Sequence, residues 1–238
     1  MNGDFALWVY LSRTPLLWLT VTLVAYTIAD RFSEATGRHP FANPVLHAIW
    51  LTGLVLKLTG TPYQTYFEGA QFVHFLLGPA TVALALPLYE RRAIVMRALL
   101  PMLAALVVGC VTALGTALLL GRALGLNHEI IVAIAPKSVT TGVAIGIVET
   151  LGGDPTLAAV LVMITGAVGA IIVSPLFNLL RIRDLRARGF AAGLAAHGLG
   201  TARAFQVSET AGTFAGIAMG LNAFLTAMLV PVALGLIR

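Results

Sequence analysis

The amino-acid sequence predicts an all-α fold, a polytopic membrane helical bundle with about six to eight transmembrane segments. Of its 238 residues, 58% are hydrophobic and 11% are charged, whereas soluble domains contain about 25% charged residues. Runs of about 20 apolar residues, the length that spans a bilayer core, recur along the chain. Glycine, proline and polar residues interrupt some of these runs, which predicts discontinuous or re-entrant helices.

About eight apolar segments are separated by short polar loops, and we expect them to form one integral membrane domain, residues 1–238. The first segment is long enough to span, and Arg13 is the only basic side chain before its end, so we expect an uncleaved signal anchor. The second segment is short for a full crossing and begins at Pro44, a residue that suits a first helical turn. The segments comprise residues 7–28, 43–58, 70–88, 93–120, 126–150, 156–180, 190–205 and 211–237.

The net charge of +5 is concentrated in short arginine-rich loops, residues 90–97 and 181–188. Such loops are typical of the cytoplasmic side of a membrane protein and disfavour nucleic-acid binding. If both loops are cytoplasmic, an even number of crossings separates them. Segments 93–120 and 156–180 already supply two, so segment 126–150 is not a single crossing. It is a re-entrant hairpin, two half-helices meeting tip to tip, or a segment packed within the protein.

An internal repeat is suggested by prolines, glycines and basic loops that recur at corresponding positions. The stretch from Asn43-Pro44 to Pro62 parallels the stretch from Pro136 to Pro155. We therefore expect an N-terminal span and linker (1–40), a first repeat (41–125) and a second repeat (126–238). Inverted repeats would place the two basic loops on opposite faces, so either the charge rule or the inversion fails. Chance similarity between glycine-rich and alanine-rich segments is the alternative.

The first interruption places a lysine where a membrane segment tolerates charge poorly, at a cost of at least ~2.5–3.5 kcal/mol. Proline suits the first turn of a helix, so a half-helix is expected from Val139 onward. Its amide groups, the hydroxyl groups and the lysine would together favour a carboxylate. The alternative is an interfacial loop with a snorkelling lysine. The candidate residues are Pro136, Lys137, Ser138, Thr140 and Thr141.

The second interruption combines an imidazole, two glycines and a guanidinium. Gly198 and Gly200 would let the helix unwind or pack closely. Arg203 could grip a carboxylate bidentately, and His197 could carry a proton near neutral pH. Packing roles, with Arg203 at a headgroup and His197 bonded to a carbonyl, are the alternative. Thr201 lies between the two charged groups and joins the candidate site.

Asn222 lies in the middle of the last segment, where it either bonds across helices or contacts a ligand. Pro44, Pro136 and Gly198 are the expected structural breaks. The sequence contains no metal-ligand spacing, phosphate loop or nucleophile elbow. We therefore expect no enzyme activity, no metal and no cofactor.

The two interruptions resemble the motifs of the LrgB/CidB family. The resemblance covers nearly the whole chain, most specifically residues 130–231. The family usually has proline where this chain has Gly142 and often serine where Ala196 stands, so we expect a more flexible start to the half-helix. The matching residues are Pro136-Lys137-Ser138-Val139-Thr140-Thr141 with Ala144, Gly152-Gly153-Asp154-Pro155, and His197-Gly198-Leu199-Gly200-Thr201-Ala202-Arg203-Ala204.

This resemblance implies a small bacterial inner-membrane protein that often works beside a holin-like LrgA/CidA partner. The family includes antiholin-like proteins tied to murein hydrolase activity and autolysis, and the C-terminal part of the plastidial glycolate/glycerate translocator. We therefore expect transport of small monocarboxylates such as glycolate, glycerate or pyruvate, with the anion bound at broken helices near the membrane midplane. An antiholin-like regulator and an oligomeric channel are the alternatives. A homodimer is also expected.

Overall fold

A computed structural model of the protein describes residues 15–76, 79, 82–83, 85–90 and 92–236. These residues form helices and no strands, which confirms the all-α prediction. The start of predicted segment 7–28, part of segment 70–88 and residue 237 lie outside the described residues. The helices are α1 (Pro15–Ala35), α2 (Pro44–Thr59), α3 (Tyr63–Phe75), α4 (Ala85–Glu90), α5 (Arg92–Arg97), α6 (Leu99–Ala123), α7 (His128–Ile134), α8 (Thr141–Thr150), α9 (Pro155–Leu179), α10 (Leu185–Val207) and α11 (Glu209–Leu236).

Among the described residues, three helices are long and apolar enough to cross a membrane: α6, α9 and α11. Each has 25 residues or more and would extend over about 37 Å or more at 1.5 Å per residue. That exceeds a hydrocarbon core of about 30 Å. The protein therefore has the helices of a membrane protein, and the count of six to eight crossings stays a prediction.

The chain divides into two compact units, Met1–Leu86 and Pro87–Arg238. In the first unit, α1 packs against α2 and α3, and the backbone of Pro15 and the side chain of Trp18 come so close to Gly69 that a larger residue there would clash. Helix α1 continues to Ala35, seven residues beyond the predicted end of the first segment at residue 28. Arg38 pairs with Asp30 at 3.2 Å and with Glu34 at 2.8 Å across this helix end.

Helix α2 begins at Pro44 because the preceding Asn43 caps it. The Asn43 side-chain oxygen accepts hydrogen bonds from the amides of Val45 at 3.0 Å and Leu46 at 3.3 Å. A proline directly after the cap removes no helical hydrogen bond, since the first amides of a helix have no partner within it. Gly60 then ends the helix in the left-handed conformation (φ 64°). This is the first-turn role that the sequence predicts for Pro44.

In the second unit, α6 and α9 run in opposite directions. Arg97, just before α6, and Arg183, just after α9, line one cavity. We call this the basic end. The last turns of α6 and the first turn of α9 meet in one apolar cluster, which includes Leu118 and Ala158. We call that the opposite end. Both basic loops thus lie at one end of the unit, as the charge bias predicts.

The segment between α6 and α9 is a re-entrant hairpin, one of the three predicted alternatives. Gly153, just after α8, lies against α7, and a Cβ there would come within 2.7 Å of Val132. Leu126, just before α7, packs on the apolar cluster of the opposite end. The chain therefore enters and leaves at that end. We refer to residues 128–150 as the first hairpin.

Helix α10 is itself folded back into two arms. The backbone is non-helical at Ala196 (φ −126°, ψ 18°) and His197 (φ 41°, ψ −128°). A Cβ on Gly200 would meet the carbonyl oxygen of Ala192, eight residues earlier. In a continuous helix these residues would be about 12 Å apart, so the second arm runs back along the first. We refer to residues 185–207 as the second hairpin.

The second hairpin enters and leaves at the basic end. It follows Arg183, and Thr210 in the first turn of α11 lines the same cavity as Arg97 and Arg183. Within this unit, α6 and the first hairpin form one helix-and-hairpin segment, and α9 and the second hairpin form the next. The two segments run in opposite directions. This inversion relates different segments from the predicted repeats 41–125 and 126–238, whose relationship stays a prediction.

Two boundaries differ from the sequence analysis. Most of the expected loops 90–97 and 181–188 is helical, because α5 covers Arg92–Arg97 and α10 begins at Leu185. Asp184 starts α10 by accepting a hydrogen bond from the amide of Arg186 at 2.8 Å. A side-chain oxygen in this position satisfies an amide that has no partner inside the helix.

Candidate functional site

The tip of the first hairpin consists of residues 135–140. The amide of Lys137 donates to the carbonyl of Ile134 at 3.1 Å, and that of Val139 donates to Pro136 at 3.2 Å. These short-range bonds hold the chain in tight turns. Helix α8 therefore begins at Thr141 and not, as expected, at Val139, and Pro136 lies in the turn before it.

Helix α8 begins at the hairpin tip, so its N-terminal end points into the unit. Thr140 precedes it in an extended conformation (φ −65°, ψ 151°) and its side chain forms no capping hydrogen bond. Thr140 and Thr141 are half-buried, while Gly142 is exposed. The positive end of the helix dipole is therefore directed toward the tip, which favours an anion there.

The tip of the second hairpin is the turn at Ala196 and His197. The His197 ring nitrogen Nε2 donates to the carbonyl oxygen of Val162 in α9 at 3.1 Å. Gly166 makes room for this ring, because a Cβ there would come within 2.5 Å of it. Thr201 donates its hydroxyl hydrogen to the carbonyl of His197 at 2.8 Å. His197 thus makes the carbonyl contact of the packing alternative, and proton coupling through it stays a prediction.

The predicted break at Gly198 falls one to two residues earlier, at Ala196 and His197. Glycine was expected at the turn because only glycine adopts a positive φ without strain. Here His197 adopts it, held by its bond to Val162. Gly200 serves close packing of the two arms, since Ala192 and Ala196 leave no room for a side chain.

Asn222 of α11 joins the tip of the first hairpin to the first arm of the second. Its side-chain Nδ2 donates to the carbonyl oxygen of Ser138 at 3.0 Å and to that of Leu194 at 3.1 Å. Asn222 is 1% exposed; its bond to Ser138 is buried and its bond to Leu194 is partly buried. The Oδ1 atom accepts from the hydroxyl of Thr226 at 3.2 Å, and the Thr226 hydroxyl lies 3.4 Å from the sulfur of Cys110. A polar network therefore runs from α6 through α11 to both hairpins.

A cavity of about 600 Å³ lies beside this junction. Lys137 and Ser138 line it from the first hairpin, and Leu194 and Ala195 line it from the second. The middle of α6 and the middle of α9 complete it, with Thr112 and Thr165 as hydroxyl groups. All these lining residues lie half-way along their elements. The cavity is therefore at mid-depth of the unit, and Lys137 is its charged lining residue.

Arg203 lies elsewhere. It is 8% exposed and lines a small cavity of about 20 Å³ between the two arms of the second hairpin, together with Arg188. Its Nη1 donates to the side-chain oxygen of Gln206 at 3.1 Å. This cavity and the one that contains Lys137 share no lining residue. The structure thus does not bring Lys137 and Arg203 to one cavity, although their joint anion site is what the sequence predicts.

Several residues of the site escaped the sequence analysis. Thr112 and Thr165 lie in ordinary apolar helices and carry no local signal. Thr226 could have been found, because its spacing of four residues from Asn222 puts both side chains on one helix face. The carbonyl of Leu194 could not, since it becomes a partner for Asn222 only where α10 folds back.

Comparisons with known proteins agree with this membrane architecture. The model of the LrgB-like family matches residues 22–236. YxaC of Bacillus subtilis is 38% identical over 83% of this chain and 86% of its own length. The holin-like protein CidB of Staphylococcus aureus is 31% identical over 91% of this chain and 94% of its own length. YwbG of Bacillus subtilis is 34% identical over 90% of this chain and 94% of its own length. No solved structure matches this one significantly.

Proposed function

The chain belongs to the LrgB-like family, and from this premise and the geometry of the hairpin tips we propose that it is a carrier for small organic anions. Its substrates are monocarboxylates of the size of glycolate, glycerate or pyruvate. It acts as a multi-pass protein of the bacterial cytoplasmic (inner) membrane. Substrate binds in the mid-depth cavity, and no enzymatic step, metal or cofactor takes part.

The observation that carries this proposal is the position of Lys137 at a hairpin tip. A lysine at this depth is costly, and residues of this kind mark substrate or ion pathways in membrane proteins. The start of α8 lies a few residues further on, so its amides and dipole add to the positive potential. Ser138, Thr112 and Thr165 supply hydroxyl groups at the cavity wall. A carboxylate of one negative charge fits this set of groups.

The two hairpins support a carrier over a simple pore. Discontinuous helices from oppositely directed units, meeting at mid-depth, are typical of secondary transporters, in which each half can move against the other. The tip of the first hairpin and the first arm of the second both line the cavity. Movement of one hairpin at a time would expose the cavity to one side of the membrane, as alternating access requires.

Counterflow in proteoliposomes tests the proposal, because only a carrier exchanges labelled for unlabelled substrate. Lys137→Gln should lower glycolate or pyruvate counterflow at least tenfold, the effect of losing a charged hydrogen bond of about 1.5–3 kcal/mol. The chain has two lysines, and Lys57, exposed on α2, provides the control variant Lys57→Gln. Unchanged counterflow in a folded Lys137→Gln protein would remove Lys137 from the site.

A second function is favoured by the relative named holin-like protein CidB. In this alternative the chain regulates murein hydrolase export and autolysis through an LrgA/CidA-type membrane partner and moves no substrate. Purified protein alone would then show no saturable uptake, while the partner would co-purify with it. An oligomeric channel would instead give non-saturable flux and unitary conductance in planar bilayers. A homodimer is compatible with each function.

A further inference from the structure

A groove lies between the first half of α6 and the first arm of the second hairpin. It has a volume of about 560 Å³. Its walls are mainly apolar, with Pro101 and Met102 on one side and Phe190 and Leu194 on the other, and Phe214 of α11 also contributes. Arg97 and Arg186 stand at its mouth. The groove therefore has a charged mouth and an apolar body.

The charged mouth continues into a second cavity of about 540 Å³ at the basic end. Arg97, Asp184 and Arg186 line both cavities, and Arg183 joins them in the second. Asp184 pairs with Arg186 at 2.6 Å. Three guanidinium groups and one carboxylate leave a local net charge of +2. All four side chains are exposed, so a further anion can reach them.

The depth of the groove matches one leaflet of a bilayer. Arg97 lies two residues before α6, where the apolar helix begins, and would lie near the lipid headgroups where α6 spans a bilayer. From there the groove extends to Ala105 on α6 and Leu194 on α10, eight residues beyond Arg97 and Arg186 respectively. Eight helical residues cover about 12 Å, close to half of a hydrocarbon core of about 30 Å.

We propose that this groove binds one anionic phospholipid. The phosphate lies between Arg97, Arg183 and Arg186, and an acyl chain occupies the apolar groove as far as Leu194. A zwitterionic lipid would bring its own positive group toward these arginines and bind less well. Basic pockets between membrane helices are suited to anionic headgroups for the same reason. Because Leu194 also lines the cavity that contains Lys137, the lipid tail would end at the wall of that cavity.

Native mass spectrometry of the full chain in detergent, titrated with phosphatidylglycerol and phosphatidylcholine of equal acyl chains, tests this site. The wild-type chain should bind phosphatidylglycerol at least fivefold more tightly. In Arg97→Gln/Arg186→Gln this preference should fall below twofold. Arg122→Gln, at the far end of α6, is the matched control and should keep it. Equal binding of the two lipids by the wild type, or an unchanged preference in the double variant, would overturn the proposal.

A second variant covers the case in which the double variant does not fold. Ala105→Trp fills the exposed groove and leaves the arginines in place, so binding of phosphatidylglycerol should fall at least fivefold. Val108→Trp, at an exposed position of α6 that does not line the groove, is its control. Glycerol phosphate should not displace the lipid at millimolar concentration. Displacement would show that the headgroup contacts alone carry the binding and would overturn the placement of an acyl chain in the groove.

Discussion

Asn222 donates a hydrogen bond of 3.0 Å to the carbonyl oxygen of Ser138, 84 residues earlier in the chain. A second bond from the same nitrogen reaches Leu194 at 3.1 Å. One amide group of α11 therefore holds the tip of the first hairpin and the first arm of the second. Ser138 and Leu194 both line the mid-depth cavity, so Asn222 holds two parts of its wall without lining it.

Replacing Asn222 by alanine should loosen both hairpins. The carbonyls of Ser138 and Leu194 would lose their partner, and hydrogen bonds within membrane proteins contribute about 0.6 and at most about 1.7 kcal/mol each. We expect a destabilisation of about 1–3 kcal/mol, measured by unfolding in mixed detergent. Thr116→Ala, an exposed threonine whose hydroxyl bonds within α6, is the control and should change stability little. Equal stability of Asn222→Ala and wild type would mean that the tips are held by other contacts.

Substrate should protect Lys137 from amine-reactive reagents. A carboxylate bound at the tip would cover its ammonium group, whereas exposed Lys57 would react at the same rate with or without substrate. Mass spectrometry of the two lysine peptides after labelling, with and without millimolar glycolate or pyruvate, gives both rates in one sample. We expect at least a threefold slower reaction at Lys137 once about two thirds of the sites or more are occupied, because only the unoccupied molecules react. Identical rates would place the substrate elsewhere.

Gly166 should tolerate no side chain. In Gly166→Ala the new Cβ would meet the His197 ring, so the ring must leave its hydrogen bond to Val162. Overpacking of this kind costs about 1–3 kcal/mol. Gly220→Ala is the matched control, because a Cβ there has nothing within 4 Å. Thermal unfolding of the two variants in the same detergent measures the difference. A Gly166→Ala protein as stable as Gly220→Ala would contradict the placement of His197.

The start of α10 should weaken in acid. The hydrogen bond from the Arg186 side chain lowers the pKa of Asp184 to about 2 from its ordinary value of 3.8. Because the folded state lowers this pKa, the stabilisation is complete above pH about 4 and is lost as the pH falls toward 2. The amide protection factor of Arg186, corrected for intrinsic exchange, should therefore fall over this interval. In Asp184→Asn it should be lower but independent of pH, and an equal fall in this variant would assign the effect to another group.

The positions of the basic residues and the number of apolar segments between them predict the first hairpin. Arg97 and Arg183 do lie at one end, and the segment around Pro136 does return to the end it came from. The start of the helix after Pro136 is predicted less accurately, at Val139 where the structure has Thr141. Proline suits both a first helical turn and the turn before a helix. The hydrogen bond from the Val139 amide to the Pro136 carbonyl places Pro136 in the turn before α8.

The second hairpin was recognised as a break but not as a full reversal. A glycine at the turning point is the expected signal, whereas the turn is made at His197 with a φ of 41°. That strain is offset by contacts with α9, 35 residues away, and no local pattern reports them. The separation of Lys137 and Arg203 into two cavities also depends on how the hairpins pack. It therefore cannot be predicted from the spacing of the two residues along the chain.

The return of the first hairpin to its own end bears on how the protein is inserted during synthesis. Its arms, α7 and α8, are about 10 and 15 Å long, so neither spans a core of about 30 Å. In a membrane crossed by α6 and α9, Lys137 at the tip would therefore travel only part of the way from one aqueous side and would not emerge on the other. If α6 and α9 are inserted first, the hairpin folds between them. The charge of Lys137 would then not contact acyl chains. The insertion machinery can then treat this costly residue as part of a late folding step and not as part of a membrane span.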